Sequence, residues 1–228
     1  MIPLKVLLAR RGIPGITIAL ILANFAVFLH ELSLSSRSLE LYMLHYGLVP
    51  ARFSEALAGH PFTAGSLLLP VFTSMFLHGG WMHILGNMWF LWVFGGAVED
   101  ALGSAGYLAL YLACGLGAAA TQLIFSWGSR VPTIGASGAI SAVMGAYLVL
   151  YPRSKVLTLV PLIVFFFTWR LPALFMIGYW FLIQFFSGLA SLGGPQMGGT
   201  AFWAHVGGFL LGAIASAGAR HRVAWYPT

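Results

Sequence analysis

The amino-acid sequence predicts an all-α membrane protein, a bundle of six transmembrane helices that forms one domain over residues 1–228. The chain is 60% hydrophobic and only 7% charged, whereas soluble globular domains carry about 25% charged residues. Its apolar runs approach the roughly 20 residues that one helical crossing of a bilayer needs. No repeat at a fixed period and no low-complexity linker divides the chain, which indicates a single domain.

Six apolar runs are candidate crossings, and they cover residues 15–32, 81–98, 104–125, 137–151, 171–192 and 202–219. Basic residues precede the first run as in a signal peptide, but no small-residue cleavage site follows it. The first run is therefore predicted to stay as an anchor. The fourth run is short, which would leave its first residue, Ser137, below the membrane surface.

Two connections contain apolar residues but are not counted as crossings. Residues 33–80 form a long first loop that is too mixed to span and is predicted to lie partly in the membrane interface. Residues 155–170 contain Pro161 and three consecutive phenylalanines. This stretch has the length of a re-entrant or interfacial piece.

The distribution of basic residues predicts the orientation of the six crossings. With both termini cytoplasmic, eight basic residues lie inside and three outside, which is the bias of the positive-inside rule. Segments two, four and six then all begin on the outer side. His83, Ser137 and His205 each stand at the start of one of these segments, so they are expected at a similar shallow depth.

Composition also excludes several classes of protein. The net charge is +6, but the basic residues occur singly or in pairs and form no patch, so nucleic-acid binding is not predicted. The single Cys114 can form neither an intramolecular disulfide nor a cysteine metal site, and it is expected to be a small packing residue. Paired aspartates and an HExxH helix are absent from the sequence. No cofactor and no metal are predicted.

A serine and a histidine are the candidate reacting groups. Ser137, within Gly135-Ala136-Ser137-Gly138, and His205, in the sixth segment, could act as nucleophile and base. Each begins a stripe of small residues on one helix face; the stripes are Ser137, Ser141 and Gly145, and His205, Gly208 and Gly212. Small residues let helices approach closely. If the stripes meet, Ser137 and His205 lie at the same end of the contact; otherwise they are a packing serine and a carbonyl-bonded histidine.

The second segment offers hydrogen-bond donors for a developing negative charge. His83 and Asn87 are four residues apart and share a helix face, and the Ser137 amide is at a helix start. Together they could form an oxyanion hole, although a helix cap or an interhelical hydrogen bond would also explain the pair. His78 lies five residues before His83. No carboxylate is placed to orient His205, so a Ser-His dyad is predicted rather than a triad.

At these residues the chain resembles the rhomboid family of intramembrane serine proteases. The GxSG motif is matched by Gly135, Ser137 and Gly138, the AHxxGxxxG motif by Ala204, His205, Gly208 and Gly212, and the HxxxN element by His83 and Asn87. The order of the motifs and the number of segments agree as well. The resemblance therefore covers nearly all of residues 15–219.

The resemblance implies a rhomboid-like bundle that cleaves transmembrane segments of other membrane proteins near their outer ends, within the lipid bilayer. It implies that Ser137 is the nucleophile, that His205 is the general base and then acid, and that His83, Asn87 and the Ser137 amide bind the oxyanion. Gly135, Gly138, Gly208, Gly212 and His78 would support them. It also suggests that the fifth segment and loop 193–200 move to admit substrate. A bacterial-type plasma (inner) membrane is the expected location, with the active site toward the outer side.

Two departures from the family pattern bear on geometry. Many members carry an aromatic residue four positions after the serine to pack on the catalytic imidazole, but Ser141 stands here. The Trp-Arg pair common in the first loop is also absent, and Trp169-Arg170 lies elsewhere. Bulky residues of the fifth segment, such as Trp180, are expected to face lipid or the core rather than to form a gate.

Two other functions compete with proteolysis. A catalytically silent relative acting as a membrane-protein binder or chaperone usually lacks the serine or the histidine, and both are present here. A transporter or channel needs charged or coordinating groups along a path and often an inverted repeat. Here the polar residues cluster at one end of the segments.

Overall fold

The computed structural model describes residues 1–8, 12–162, 165–192 and 200–223. Its helices in these ranges are α1 (Gly15–Ser33), α2 (Ser36–Tyr46), α3 (Pro50–Leu57), α4 (Ala64–Thr73), α5 (Trp81–Phe125), α6 (Ser137–Leu150), α7 (Ala173–Ser191) and α8 (Phe202–Ser216). Short 3-10 turns cover Ser74–Phe76 and Ala217–Arg222. The strands are β1 (Ile2–Val6), β2 (Lys155–Leu162) and β3 (Phe165–Pro172). Arg10, Arg11 and residues 193–199, used in the topology and loop predictions, lie outside the described residues.

Four described helical stretches are long and apolar enough to cross a membrane. They are Gly15–Ser33, Trp81–Phe125, Ala173–Ser191 and Phe202–Arg220. The α6 helix is apolar but shorter. The prediction of a mostly helical membrane protein is confirmed.

The α5 helix is divided at Gly103 into two arms, 81–102 and 104–125. Gly103 has φ 74° and ψ 160°, a backbone conformation that glycine adopts without a Cβ clash. The break falls in the gap between the predicted second and third segments. The two arms are closely packed at this point. A Cβ atom placed on Gly95 of the first arm would lie 2.7 Å from the Tyr107 hydroxyl of the second arm.

The Glu99 side chain joins the end of the first arm of α5 to the start of α1. Its carboxylate accepts hydrogen bonds of 2.9 Å from the Ile16 and Thr17 amides and from the Thr17 hydroxyl. The Ser104 hydroxyl donates to it as well, at 3.0 Å. The first amides of a helix lack intrahelical acceptors and attract negative charge. Glu99 therefore caps α1 and fixes it to α5.

The α6 helix occupies the centre of the bundle. Eleven of its fourteen residues are buried, including Tyr147, and it is surrounded mainly by α5 and α8. A helix enclosed by protein does not have to match the thickness of the lipid. Its shortness is therefore compatible with its place in the core.

Helices α6 and α8 approach each other closely at glycines of both helices. A Cβ atom on Gly208 would collide with the Gly138 carbonyl, and one on Gly212 with the Ala142 carbonyl. In the opposite direction, a Cβ atom on Gly145 would collide with the Phe209 carbonyl. Backbone-to-backbone contact of this kind requires glycine. The predicted close approach of the two helices is observed, but Gly208 and Gly212 contact Gly138 and Ala142, each one position after the predicted Ser137 and Ser141, and only Gly145 of the predicted α6 stripe is in the contact.

The all-α prediction is wrong for residues 2–6, 155–162 and 165–172, which form a three-stranded antiparallel sheet in the order β1-β2-β3. In β2, Val156 and Thr158 are fully buried and point to one face. Branched residues at every second position favour a pleated strand. Because Leu171 pairs with Val156 in this sheet, the fifth helix begins at Ala173 and not at 171.

The long first loop also contains more structure than predicted. Helices α2, α3 and α4 lie within residues 33–80. The Ser35 and Thr63 hydroxyls accept hydrogen bonds of 3.2 Å from amides in the first turns of α2 and α4, and Pro50 occupies the first turn of α3. These are standard helix-start signals, which the short apolar runs between them concealed.

Candidate active site

The turn before α6 sets the position of Ser137, the first residue of that helix. Gly135 has φ 123°, and a Cβ atom there would lie 2.8 Å from the His83 Nε2 atom and 3.7 Å from the Ser137 Oγ atom. A side chain at position 135 would therefore displace His83. The Gly135 amide also donates a 2.8 Å hydrogen bond to the Ser74 carbonyl, which anchors the turn.

His83, in the first turn of α5, presents a nitrogen toward this turn. Its Nδ1 atom accepts a 3.3 Å hydrogen bond from the Gly79 amide. A neutral imidazole carries one proton, so the Nε2 atom is the donor in this arrangement. That donor lies on the side of the Ser137 hydroxyl, as an oxyanion donor would.

Asn87 lies one turn further along α5. Its Nδ2 atom donates a 3.0 Å hydrogen bond to the His83 carbonyl. A side-chain amide carries two N–H groups, so one further donor is available from Asn87. The side chain lines the cavity described below.

His205, on α8, is held by a residue that sequence reasoning missed. Its Nδ1 atom lies 2.7 Å from the Gln184 Oε1 atom of α7. A carbonyl oxygen only accepts hydrogen bonds, so Nδ1 carries the proton and Nε2 is left as an acceptor. The Trp180 ring, one turn earlier on α7, has its centroid 5.8 Å from that of His205.

The available signal for Gln184 is its position as the only amide or charged residue of α7. Polar groups inside membrane helices are costly and often functional. Trp180, expected to face lipid or the core, packs against the hydrophobic core, and it also contacts His205 and lines the cavity. Trp180 thus supplies the aromatic contact to the imidazole, which the small Ser141 side chain does not supply.

The start of α8 is fixed by a second glutamine, Gln122 of α5. Its Oε1 atom accepts a 3.0 Å hydrogen bond from the Ala204 amide, one of the amides left unpaired at a helix start. The rings of Phe125 and Trp203 stack beside it at 3.9 Å. His205 follows directly in sequence, so these contacts also restrict the position of the histidine.

One cavity of about 370 Å³ connects the candidate residues. The polar residues in its wall include His83, Asn87, Ser137, Ser141, Thr200 and His205. Among the described residues, no direct hydrogen bond joins Ser137 to His205. Catalytic hydrogen bonds are often long before substrate binds and tighten in the complex. Both side chains line the same cavity.

The supporting glycines lie around this cavity rather than in its wall, whereas Ser141 is part of the wall. The Ser141 hydroxyl donates a 2.6 Å hydrogen bond to the Ser137 carbonyl, within its own helix. Gly138 is close to α8, since a Cβ atom there would lie 3.5 Å from the Ala204 Cβ atom. Gly208 and Gly212 continue that contact. They bring α6 and α8, which carry Ser137 and His205, together without lining the cavity.

His78 is also placed behind the site. It is 1% exposed, and its ring centroid is 5.0 Å from that of His83. The Glu31 carboxylate of α1 accepts a hydrogen bond from the His78 amide, with oxygens at 3.2 and 3.3 Å. This buried acid was missed by sequence reasoning. It holds the segment that leads into His83.

Acidification is expected to destabilise the protein through His78. Burial, with a smaller effect of the His83 charge, lowers the pKa of His78 to about 4, below the roughly 6.5 of an unfolded histidine. As the pH falls from about 6.5 to 4, only the unfolded chain takes up this proton, so up to about 3 kcal/mol of stability is lost. His78→Gln should flatten the dependence of thermal stability on pH between 7.5 and 4.5. Equal slopes in the variant and the wild type would contradict this.

Comparisons with known proteins agree with the motifs. The Rhomboid domain model matches residues 66–222. Presenilin-associated rhomboid-like protein A, mitochondrial, of Danio rerio is 34% identical over 136 residues, which cover 57% of this chain and 36% of that protein. Rhomboid protein 1, mitochondrial, of Saccharomyces cerevisiae is 30% identical over 96 residues, covering 40% and 28%. Rhomboid protease GluP of Bacillus subtilis is 41% identical over 76 residues, covering 33% and 14%.

The chain thus spans about a third or less of the length of these relatives. Their names contradict the expected location in a bacterial-type plasma membrane, because the relatives from Danio rerio and Saccharomyces cerevisiae are named mitochondrial proteins. That expectation is wrong by this comparison. The prediction of a membrane protein with several crossings is retained.

Proposed function

The chain belongs to the rhomboid family, and on that premise we propose that it is an intramembrane serine endopeptidase. Its substrates would be transmembrane segments of other membrane proteins. The observation that carries the proposal is the shared cavity, which has Ser137 and His205 in its wall and His83 beside the Ser137 turn. A nucleophile, a base and an oxyanion donor are the groups that acyl transfer requires.

In the first step, the Ser137 Oγ atom attacks the carbonyl carbon of a peptide bond while the His205 Nε2 atom takes its proton. The carbonyl π electrons move to oxygen, and the resulting oxyanion is bound by donors from His83, Asn87 and the Ser137 amide. The C–N bond then breaks, and His205 gives its proton to the leaving amine. Water hydrolyses the acyl-enzyme with His205 again as base.

The substrate has to unfold locally before it is cut. A transmembrane helix satisfies all its backbone hydrogen bonds internally, and its peptide carbonyls are shielded by neighbouring turns. Residues that weaken a helix near one end of the span would therefore favour cleavage. The cavity wall also contains apolar side chains, including those of Met82, Phe90 and Met144, which suit an extended apolar peptide.

The six-crossing topology is also part of the proposal. The crossings would be α1, the two arms of α5, α6, α7 and α8, with both termini on the same, more basic side. This is supported by the break at Gly103 and by the burial of the short α6 helix. Ser137 and His83 then begin helices that run in the same direction. The proposed nucleophile and the proposed oxyanion donor therefore lie at the same end of the bundle.

A serine-directed fluorophosphonate probe tests the proposal. We expect the detergent-solubilised protein to be labelled and Ser137→Ala to remain unlabelled, because phosphonylation requires the Oγ nucleophile. Ser36→Ala, at an exposed position of α2 outside the cavity, is the matched control and should be labelled like the wild type. A folded wild-type protein that does not react with the probe would contradict the proposed activity.

A further inference from the structure

We propose that Gln184 is a positioning residue for catalysis, which holds His205 in the tautomer and orientation of a general base. The inference rests on the proposed function and deepens it. Gln184 belongs to α7, whereas Ser137 and His205 belong to α6 and α8. If the inference is correct, the dyad depends on a third helix.

The placement of Gln184 is unusual for its helix. Only 28% of the α7 span is buried, but Gln184 itself is 9% exposed. It lies on the buried face with Ile177 and Gly188, at the spacing of successive helical turns. Burying an amide costs free energy unless it is hydrogen-bonded, and its contact at 2.7 Å is His205.

The direction of this hydrogen bond decides the chemistry. Because Oε1 can only accept, the His205 proton is kept on Nδ1 and the lone pair is kept on Nε2. A base needs that lone pair to remove the Ser137 proton. Once Nε2 is protonated, the Nδ1–H group belongs to a cation, and its hydrogen bond to Gln184 becomes stronger. Gln184 thus favours the protonated intermediate state without carrying a charge.

A second contact from the same helix restricts the ring. Trp180 precedes Gln184 by four residues, so both side chains lie on one face of α7. Trp180 is 5.8 Å from His205 between ring centroids, and Gln184 binds the ring edge. Two contacts from α7 therefore hold the His205 ring, and displacement of this helix from α8 would release the base.

The first test measures the cleavage of a membrane-anchored substrate by the wild type, by two Gln184 variants and by one control variant. Gln184→Leu and Gln184→Met remove the acceptor; Met keeps the length and the flexibility of the side chain. Loss of an orienting partner typically costs roughly 10–100-fold in activity, and we expect that loss in kcat with KM changed less than about twofold. Phe186→Leu, at an exposed position of the same helix, is the matched control and should retain wild-type kcat. Thermal unfolding of each variant shows whether it is folded.

Gln184→Glu tests the role of Gln184 through the pH–rate profile, which would not change if the residue were only structural. A carboxylate at this position still accepts from Nδ1 and stabilises the protonated imidazole. We therefore expect Gln184→Glu to retain much of the activity and to move the acidic limb of the pH–rate profile to higher pH. An unchanged profile in Gln184→Glu, or wild-type kcat in a folded Gln184→Leu or Gln184→Met, would overturn the inference.

Probe labelling separates this failure from failure of the proposed function. If the wild type is not labelled by the fluorophosphonate, the proposed protease activity fails. The proposed activity is supported if the wild type is labelled and Ser137→Ala is not labelled. If Gln184→Leu is then labelled at the wild-type rate, only the proposed role of Gln184 fails. Slower labelling of Gln184→Leu, by the same factor as its loss of kcat, supports the inference.

Discussion

His205→Ala is expected to lower the rate of substrate cleavage by at least about three orders of magnitude, and Ser137→Ala by a similar factor. The reason is that, among the residues whose structure is described, no second base is available at Ser137. The neighbouring His83 has its Nδ1 atom engaged by the Gly79 amide and presents a donor, which cannot accept the hydroxyl proton. Because the two residues act as one unit, the double variant should be no slower than either single variant.

This prediction is tested by the initial rate of cleavage of a membrane-anchored substrate by reconstituted protein. His60→Ala changes an exposed histidine in a loop and serves as the control. Cleavage by Ser137→Ala at more than a few per cent of the wild-type rate would contradict the mechanism. If the protein were instead a binder or chaperone, its function would be retained in Ser137→Ala.

Gly212→Val is expected to prevent stable folding, and Gly212→Ala to destabilise the protein strongly. Even a single Cβ atom at this position would lie 2.5 Å from the carbonyl carbon of Ala142 and 2.6 Å from its Cα atom. These are backbone atoms of the central helix and cannot move aside alone. Overpacking of a core typically costs about 1–3 kcal/mol, and more where the backbone has to shift. Separation of α8 from α6 would also move His205 away from Ser137.

The matched control is Gly178→Ala, in the interior of α7. A Cβ atom at Gly178 has no neighbour within 4 Å, so alanine should be tolerated or slightly stabilising. Thermal unfolding in one detergent compares the two variants. A melting temperature of Gly212→Ala equal to that of Gly178→Ala would show that the α6–α8 contact is looser than described.

The main parts of the candidate site could be predicted from the sequence because their signals are local. The spacing of small residues around Ser137 and His205 placed each on a helix face, and the glycines showed where two backbones approach. Gln184 could not be found in this way. Its role depends on which side of α7 faces α8, and one amide in an apolar helix does not show what it contacts.

The sheet was missed for a different reason. An apolar run such as residues 155–162 fits both an interfacial segment and a half-buried strand, and periodicity does not separate them when the run is short. The decision depends on pairing with β1, which is about 150 residues away in sequence. Likewise, the mixed composition of 33–80 suggested a loop, although its cap residues are those of helices.

Under the proposed function, the enclosure of α6 has a consequence for where substrates would be cut. Since protein rather than lipid surrounds α6, the height of Ser137 is fixed by its neighbours and does not follow changes in the surrounding hydrocarbon. A substrate's transmembrane helix is not enclosed by protein in this way, so its position adjusts to the thickness of the bilayer. A change in thickness of about 3 Å would slide it by about two residues, so we expect the scissile bond of one substrate to shift along its sequence between membranes made of short and long acyl chains.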